Sequence, residues 1–311
     1  MLLEAPEIAF AAAEARAAPV TAPRWGVTSE TGLLTDVLIG PPTFLSMVPC
    51  NAVTRANLAK GLAASPPAAA RQHRALAGVL EEAGVRCHVA LPARGLPDLS
   101  FTRDSVCMSP WGLIELRPAV LHRRSEPSHV AAPLIARGIP RLARIESGAV
   151  EGGDVCLLRD GVLLIGRSGG RTDDSGADAL GAVFERMGWE VLHARFDPKF
   201  LHLDTLFTML SPDCAVACTE ALDDTFLAQL GRLRIGIIPA TLEEVGRLGC
   251  NLLSLGGGRL VAPAGNGRLN RILERSGFAV AEVEIGQFTR CGGGIHCLTM
   301  PLARQPDLCQ G

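Results

Sequence analysis

Apolar residues in this chain fall in short runs that come in pairs, with helical spacing between the pairs. The first run, Asp36-Val-Leu-Ile-Gly40, predicts a strand closed by the Gly40-Pro41-Pro42 turn. Residues from about 55 to 84 switch to helical spacing in two pieces, divided at Ser65-Pro66-Pro67. The second piece, Ala68 to Glu82, stops at Gly84, where a C-cap glycine belongs. A strand near Arg86 to Leu91 follows. Val106–Met108 and Leu113–Leu116 then flank Pro110-Trp111-Gly112 as a hairpin, with a helix over 128–136 behind it. Val155–Leu158 and Val162–Ile165 repeat the hairpin about Asp160-Gly161, followed by a helix over 174–187 and a strand from Glu190 to Ala194. Later pairs flank Cys214–Cys218 and Leu252–Val261, before a helix at 269–276 and a strand at Phe278–Ile285. Hairpins alternating with helices predict a mixed α/β protein assembled from similar ββαβ-like units. An Ala- and Pro-rich arm over 1–30 precedes a single domain over 31–311, since no Pro-, Gly- or Ser-rich linker divides the rest.

Composition narrows the function classes. Of 311 residues, 48% are hydrophobic and 20% charged, enough apolar surface to build a core and to exclude disorder as the dominant state. A net charge of −2 argues against a general nucleic-acid binder. No apolar run approaches the roughly 20 residues that span a bilayer, so a soluble chain without a membrane partner is expected. The N-terminal stretch carries Glu4, Glu7 and Glu14 and does not read as a secretory signal, which points to a cytoplasmic location. The ten cysteines lack the regular spacing of a disulfide scaffold and read as free thiols. Cys214-x3-Cys218 is the only close pair resembling a zinc knuckle, and without a second pair downstream no metal is expected.

Four segments place chemistry-bearing residues beside glycines or at element ends: Asp98-Leu-Ser-Phe-Thr-Arg-Asp104, Glu151-Gly-Gly-Asp154, His202-Leu-Asp204-Thr205 and Gly292-Gly-Gly-Ile-His296-Cys297. Each has a bland explanation. An acid before a strand is commonly a turn former, His202 and Asp204 two apart on a strand share one face, and Cys297 alone reads as a small hydrophobe. The glycines of the last segment lack the ending of a phosphate loop. Together the residues say more. A cysteine nucleophile needs a His to favour its thiolate, and the His needs a carboxylate such as Glu151 to fix its tautomer. Two further carboxylates, Asp104 and Asp204, suit a cationic, planar substrate with forked donors, which describes a guanidinium.

The ordered set FTRD (101–104), EGGDV (151–155), HLDT (202–205) and GGGIHC (292–297) strongly resembles the guanidino-group-modifying superfamily: arginine deiminases, dimethylarginine dimethylaminohydrolases and amidinotransferases. The resemblance spans about residues 36–302. It implies the pentein fold, a five-bladed α/β propeller of ββαβ modules around a central site. It also implies Cys297 as nucleophile, His202 as general acid and base, Glu151 as the acid supporting that His, and Asp104 and Asp204 as the guanidinium grip. The segment from Arg117 to Glu126 resembles the family's RPGAPSRR-E stretch, which makes Arg123 a ligand for a substrate carboxylate, with Arg171 as a second. The implied reaction is hydrolysis of free or Nω-methylated arginine to citrulline plus ammonia or an alkylamine, through a covalent thiouronium and with no cofactor. The partner is then a small guanidino molecule, and a homo-oligomer is compatible.

Within the family the motifs divide. Asp98 matches the dimethylargininases, where deiminases usually have Asn, and the chain is shorter than the deiminases with their helical insertion. Asp204 in HLDT is closer to the deiminases, and Gly292 stands near the place of a deiminase Arg. Amidinotransferases share the Cys, the His and an H-x-D motif but differ at EGGD, which favours hydrolysis. A non-catalytic binding protein on the same fold is the remaining class. The loop at Thr43–Ser46 is a candidate lid, and Cys291 a candidate for an inhibitory disulfide with the nucleophile.

Overall fold

A computed structural model describes residues 25–306. The chain opens with β1 (Leu33–Ile39), α1 (Ala52–Ala59), α2 (Pro66–Glu82) and β2 (Arg86–Val89), with β2 parallel to β1. From there one pattern recurs four times: an antiparallel hairpin, a helical crossover, and a third strand parallel to the hairpin's second strand. The second module is β3 (Val106–Ser109), β4 (Gly112–Glu115), α3 (Glu126–Ala136) and β5 (Arg141–Arg144). The third is β6 (Val155–Arg159), β7 (Val162–Arg167), α4 (Asp174–Arg186) and β8 (Glu190–Arg195). The fourth is β9 (Phe207–Ser211), β10 (Cys214–Ala217), α5 (Asp224–Arg232) and β11 (Gly236–Pro239). A short α6 (Leu242–Val245) leads to β12 (Leu253–Gly256), β13 (Arg259–Pro263), α7 (Gly267–Arg275) and β14 (Ala279–Val283). After α8 (Gly286–Thr289), β15 (Thr299–Gln305) pairs antiparallel with β1. The last strand therefore supplies the hairpin partner that the first sheet lacks, and five three-stranded sheets close into a circle.

Local chemistry explains the helix starts. Asn51 caps α1 in a reciprocal capping box with Thr54, and Asp173 and Asp223 cap α4 and α5 by accepting from Gly176 N–H and Phe226 N–H. Pro66 and Pro67 occupy the first turn of α2, where a missing N–H costs nothing, so they open that helix. The first helical piece is α1, set earlier than the spacing suggested. The third strands β5 and β11 escaped the sequence reading because they are half-exposed edges; Arg-Leu-Ala-Arg carries little apolar signal. The inner strands β3, β4, β12 and most of β6, β9 and β13 are buried on both faces, which is why they read as continuous apolar runs.

The expected N-terminal arm lies outside the described residues up to residue 24. Its last part is packed: Gly26 bridges to Ala303, Glu30 N–H donates to Leu157 O at 2.8 Å, and the buried Glu30 side chain pairs with Arg103 at 3.0 Å. Among the described residues no helix is long and apolar enough to cross a membrane.

Each hairpin, and β15, is preceded by a turn, and these five turns meet at the centre. Arg103 N–H donates to Cys297 O (3.3 Å), Gly153 N–H to Asp104 Oδ1 (3.2 Å) and Leu203 N–H to Asp154 Oδ1 (2.8 Å). Asn251 Nδ2 donates to Asp204 O (3.2 Å), and Cys297 N–H to Asn251 Oδ1 (3.3 Å). Every turn is thus bonded to the one before it, and the fifth to the first. This ring holds five sequence-distant segments in register.

Candidate active site

The ring brings Cys297, His202, Glu151, Asp104 and Asp204 together, all buried. His202 and Asp204 do not share a strand face. His202 is extended and Asp204 follows in a 3₁₀ turn ahead of β9, so the two side chains approach the thiol from different directions. Glu151 Oε2 lies 2.8 Å from His202 Nε2, leaving Nδ1 to face Asp104 Oδ1 at 3.7 Å. The Cys297 thiol interacts with His202, donates to Asp204 Oδ2 at 3.4 Å and accepts from Asn251 Nδ2 at 3.1 Å. Two glycines in the motifs are there for room. A Cβ on Gly153 meets the His202 ring at 2.7 Å, and one on Gly294 meets Asn251 Oδ1 at 2.4 Å.

Burial and the neighbouring Asp204 charge push the Cys297 thiol up to about 12. His202 goes the other way from what burial dictates. Burial disfavours its charge, but the Asp104 charge, the adjacent Cys297 sulfur and the hydrogen bond to Glu151 hold it well above the usual histidine range. Glu151, though buried, is held well below the carboxylate range by its bond to His202 and by Arg171 and Arg123. Without a ligand the centre is therefore a neutral thiol beside an imidazolium. Two buried atoms in it have no hydrogen-bond partner, His202 Nδ1 and Asp204 Oδ1. Such atoms are costly unless a ligand satisfies them.

A pocket opens over the thiol, walled by Asp104, His202, Cys297, Asp98, Arg171 and Cys50 among others. Asp204 lies beside the thiol, with Oδ2 also 2.9 Å from His296 Nδ1. Asp98 pairs with His122 Nε2 at 2.6 Å. Arg123 is almost wholly buried, and its guanidinium is engaged on every side: Asp104 Oδ2 at 2.7 Å, Glu126 Oε2 at 2.8 and 2.9 Å, and Phe101 O at 3.1 Å. Arg171 pairs with Glu151 at 3.3 Å and turns its NH2 towards Cys50 O. Three residues of the site carried no role in the sequence reading: Asn251, His296 and Glu126. Asn251 has a signal in hindsight, since it holds in the fifth module the place before the hairpin that Asp104 holds in the second.

Five similarities bear on this geometry. Residues 48–304 match the family profile described as N,N dimethylarginine dimethylhydrolase, eukaryotic. The chain belongs to that family. Its members hydrolyse guanidino C–N bonds, and this chain is 30% identical over 216 residues to the N(G),N(G)-dimethylarginine dimethylaminohydrolase of Streptomyces coelicolor, covering 70% of this chain and 79% of that one. It is 31% identical over 252 residues to an arginine deiminase of Rhodococcus erythropolis, which covers 68% of this chain but only 61% of the deiminase. A solved dimethylarginine dimethylaminohydrolase, in an adduct with 4-chloro-2-hydroxymethylpyridine, superposes with a TM-score of 0.71 at 25% identity, over 86% of this chain and all of that one. The N-terminal domain of ArgZ, an arginine dihydrolase from Cyanobacteria, gives 0.78 at 23% identity, over 88% and 99%. These structures are penteins, and so is this fold: the five closed ββαβ modules read as an expectation from the motifs are present.

Proposed function

We propose that this dimethylarginine dimethylaminohydrolase family member converts free or Nω-methylated arginine to citrulline, releasing ammonia or an alkylamine, with residues 31–311 acting as one catalytic unit. The observation that carries the reading is the environment of Cys297: a thiol bonded by Asn251 and Asp204, facing an imidazole fixed by Glu151, at the floor of a pocket whose wall carries Asp104.

In this reading the substrate guanidinium lies between Asp104 and the unpartnered Asp204 Oδ1, within reach of the thiol. Its positive charge favours the thiolate, so the nucleophile forms in the complex, the thiol proton passing to solvent as the substrate binds. The Cys297 Sγ–carbon bond forms. His202, protonated beforehand, passes a proton to the departing nitrogen as the carbon–nitrogen bond breaks, leaving an S-alkylthiouronium on Cys297. His202, now neutral, takes a proton from water as the hydroxide adds to the carbon; collapse breaks the carbon–sulfur bond, the added hydroxyl's proton passes to the departing sulfur, and the ureido product is released with Cys297 again a thiol and His202 again protonated. Arg171 is the substrate-carboxylate ligand. Arg123, expected in the same role, holds Asp104 in place through its 2.7 Å bond, and Asp98 takes the substrate's ammonium end. No metal or organic cofactor takes part, and the active unit works in the cytoplasm, as a monomer or a homo-oligomer.

The test is a ureido-product assay on the purified protein with arginine, monomethylarginine and asymmetric dimethylarginine, each with and without glycine or lysine. Citrulline that disappears in Cys297→Ala supports the proposal and ranks the substrates. Ornithine with a new guanidino compound, formed only with an amine present, makes the protein an amidinotransferase. Binding without turnover makes it a non-catalytic member of the fold.

A further inference from the structure

His296 ties the reacting centre to the segment that leads into β1. Its Nδ1 lies 2.9 Å from Asp204 Oδ2, the oxygen that also accepts from the Cys297 thiol at 3.4 Å. Its Nε2 lies 3.6 Å from Glu30 Oε2, and Glu30 Oε1 accepts from Arg103 NH1 at 3.0 Å. Arg103 Nε in turn donates to Thr299 O at 3.0 Å, on β15. Asp204, His296, Glu30 and Arg103 are all buried. Neither His296 nor Glu30 walls the substrate pocket; both line a smaller cavity together with Asp204. The nucleophile therefore stands at one end of an unbroken line of polar side chains, and the covalent chemistry as derived uses only its first two members.

We propose that His296 is a positioning residue for the reaction at Cys297: backed by Glu30, it pins Asp204 Oδ2 beside the thiol and leaves Oδ1 for the guanidinium. The inference rests on the proposed function, in which Asp204 Oδ1 meets the substrate. A half-turn about the Cβ–Cγ bond of Asp204 exchanges its two oxygens, and only bonds made to one of them choose between the arrangements. Of the two groups on Oδ2, the thiol is a weak donor, so the imidazole N–H decides. An ionised carboxylate only accepts, so the Nδ1 that faces it carries the proton. Glu30, facing Nε2, fixes the plane of the ring from its other edge. The surrounding charges act in the same sense. Burial alone would raise the Asp204 carboxyl, but the His296 bond and charge, then the His202 and Arg103 charges, hold it below the usual carboxylate range. Asp154 is the nearby acid that opposes them. Burial would likewise raise Glu30, which Arg103, His296 and Arg304 hold low. Removing the imidazole takes away both the bond that orients Asp204 and the first of the influences that keep it charged.

The experiment compares three substitutions in the full chain. An Asn side chain sets an amide N–H about where Nδ1 stands, and a Gln side chain about where Nε2 stands. His296→Leu and His296→Gln lack the donor to Asp204. Both should lower kcat/KM on arginine or a methylated arginine about 10- to 100-fold, mostly through KM, and move the acidic limb of its pH profile to higher pH. His296→Asn should recover most of the loss and return the limb. Equal losses in all three, or a limb that stays in place, overturn the assignment and leave His296 a packing residue. Glu30→Ala should give a smaller loss in the same direction, and wild-type kinetics there overturn the part given to Glu30. In the Cys297→Ser background, calorimetric titration should show arginine weakened by the same factor in His296→Leu and uncharged citrulline much less; equal weakening of the two overturns the proposal. Without any substrate, 15N-histidine-labelled protein should show a ring N–H slow to exchange with water, absent in His296→Asn and displaced in Asp204→Asn. A His296 signal indifferent to Asp204→Asn overturns the contact. If no guanidino compound binds or turns over, the catalytic reading fails while the ring signal still decides the His296–Asp204 bond, so the two failures are distinguishable.

Discussion

Asn251 offers the sharpest perturbation of the reacting centre. Its amide orientation is set by its neighbours: Oδ1 takes the Cys297 N–H while Nδ2 donates to Asp204 O and Cys297 Sγ, and the reverse would set donor against donor. The Nδ2–H that points at sulfur is worth most when the sulfur is a thiolate, since a hydrogen bond to a charged partner contributes about 1.5–3 kcal/mol. Asn251→Ala should therefore raise the already high Cys297 thiol further and lower kcat/KM about 10- to 100-fold at neutral pH. Asn251→Asp keeps the shape but places a carboxylate about where Nδ2 stood, 3.1 Å from Sγ, adding roughly 5 kcal/mol of repulsion against a thiolate at an effective dielectric near 20. It should be the slower of the two. The assay is the pH dependence of site-resolved Cys297 alkylation, read by peptide mass, beside kcat/KM and the urea midpoint. The alanine variant also orphans the Cys297 N–H, which costs about 1–3 kcal/mol of stability, so the midpoint separates damage to the fold from damage to the thiol. If Cys297 in Asn251→Ala alkylates at the wild-type rate across the whole pH range, the argument is refuted.

Three further outcomes follow from the same geometry. Glu151→Gln removes the carboxylate 2.8 Å from His202 Nε2, so the imidazole should titrate lower and activity should be lost at lower pH on the basic limb of the kcat profile; an unmoved limb contradicts the acid role of His202. Gly153→Ala drives a Cβ into the imidazole at 2.7 Å and should cost about a hundredfold in kcat while the circular dichroism spectrum stays that of the wild type; normal turnover shows that the ring has room to move. Burial raises Asp154 to about 7, so the folded chain holds that proton where the unfolded chain has released it. Stability from this group is present at low pH and is lost as pH rises from about 4 to 7. Asp154→Asn, which keeps the Oδ1 acceptor for Leu203 N–H, should match the wild type in urea at pH 4 and exceed it at pH 8; a difference independent of pH refutes the assignment.

The hairpins were legible because their strands are buried on both faces and read as short apolar runs between turn residues. The third strands were not: β5 and β11 are half-exposed edges of four residues, the one bracketed by arginines and the other by Gly236 and Pro239. β15 was missed because it contains Pro301 and lies 266 positions from its partner β1 at their starts, so nothing local to it announces a sheet. The chemistry divided along similar lines. Cys297, His202 and Glu151 stood out by residue type and by motif. Asn251 is an unremarkable residue until the ring of hydrogen bonds shows that it sits at a turn equivalent to those carrying the acids. The engagement of Arg123 by Asp104 and Glu126 depends on side-chain directions that spacing along the chain does not report.

The central claim is a covalent intermediate on Cys297. A reaction mixture turning over arginine or a methylated arginine, quenched in acid and digested, should show the Cys297 peptide carrying the substrate less its departing amine, and the adduct should vanish when the substrate is exhausted. Turnover with that peptide unmodified at every quench time, and with Cys297→Ser as active as wild type, would contradict the account.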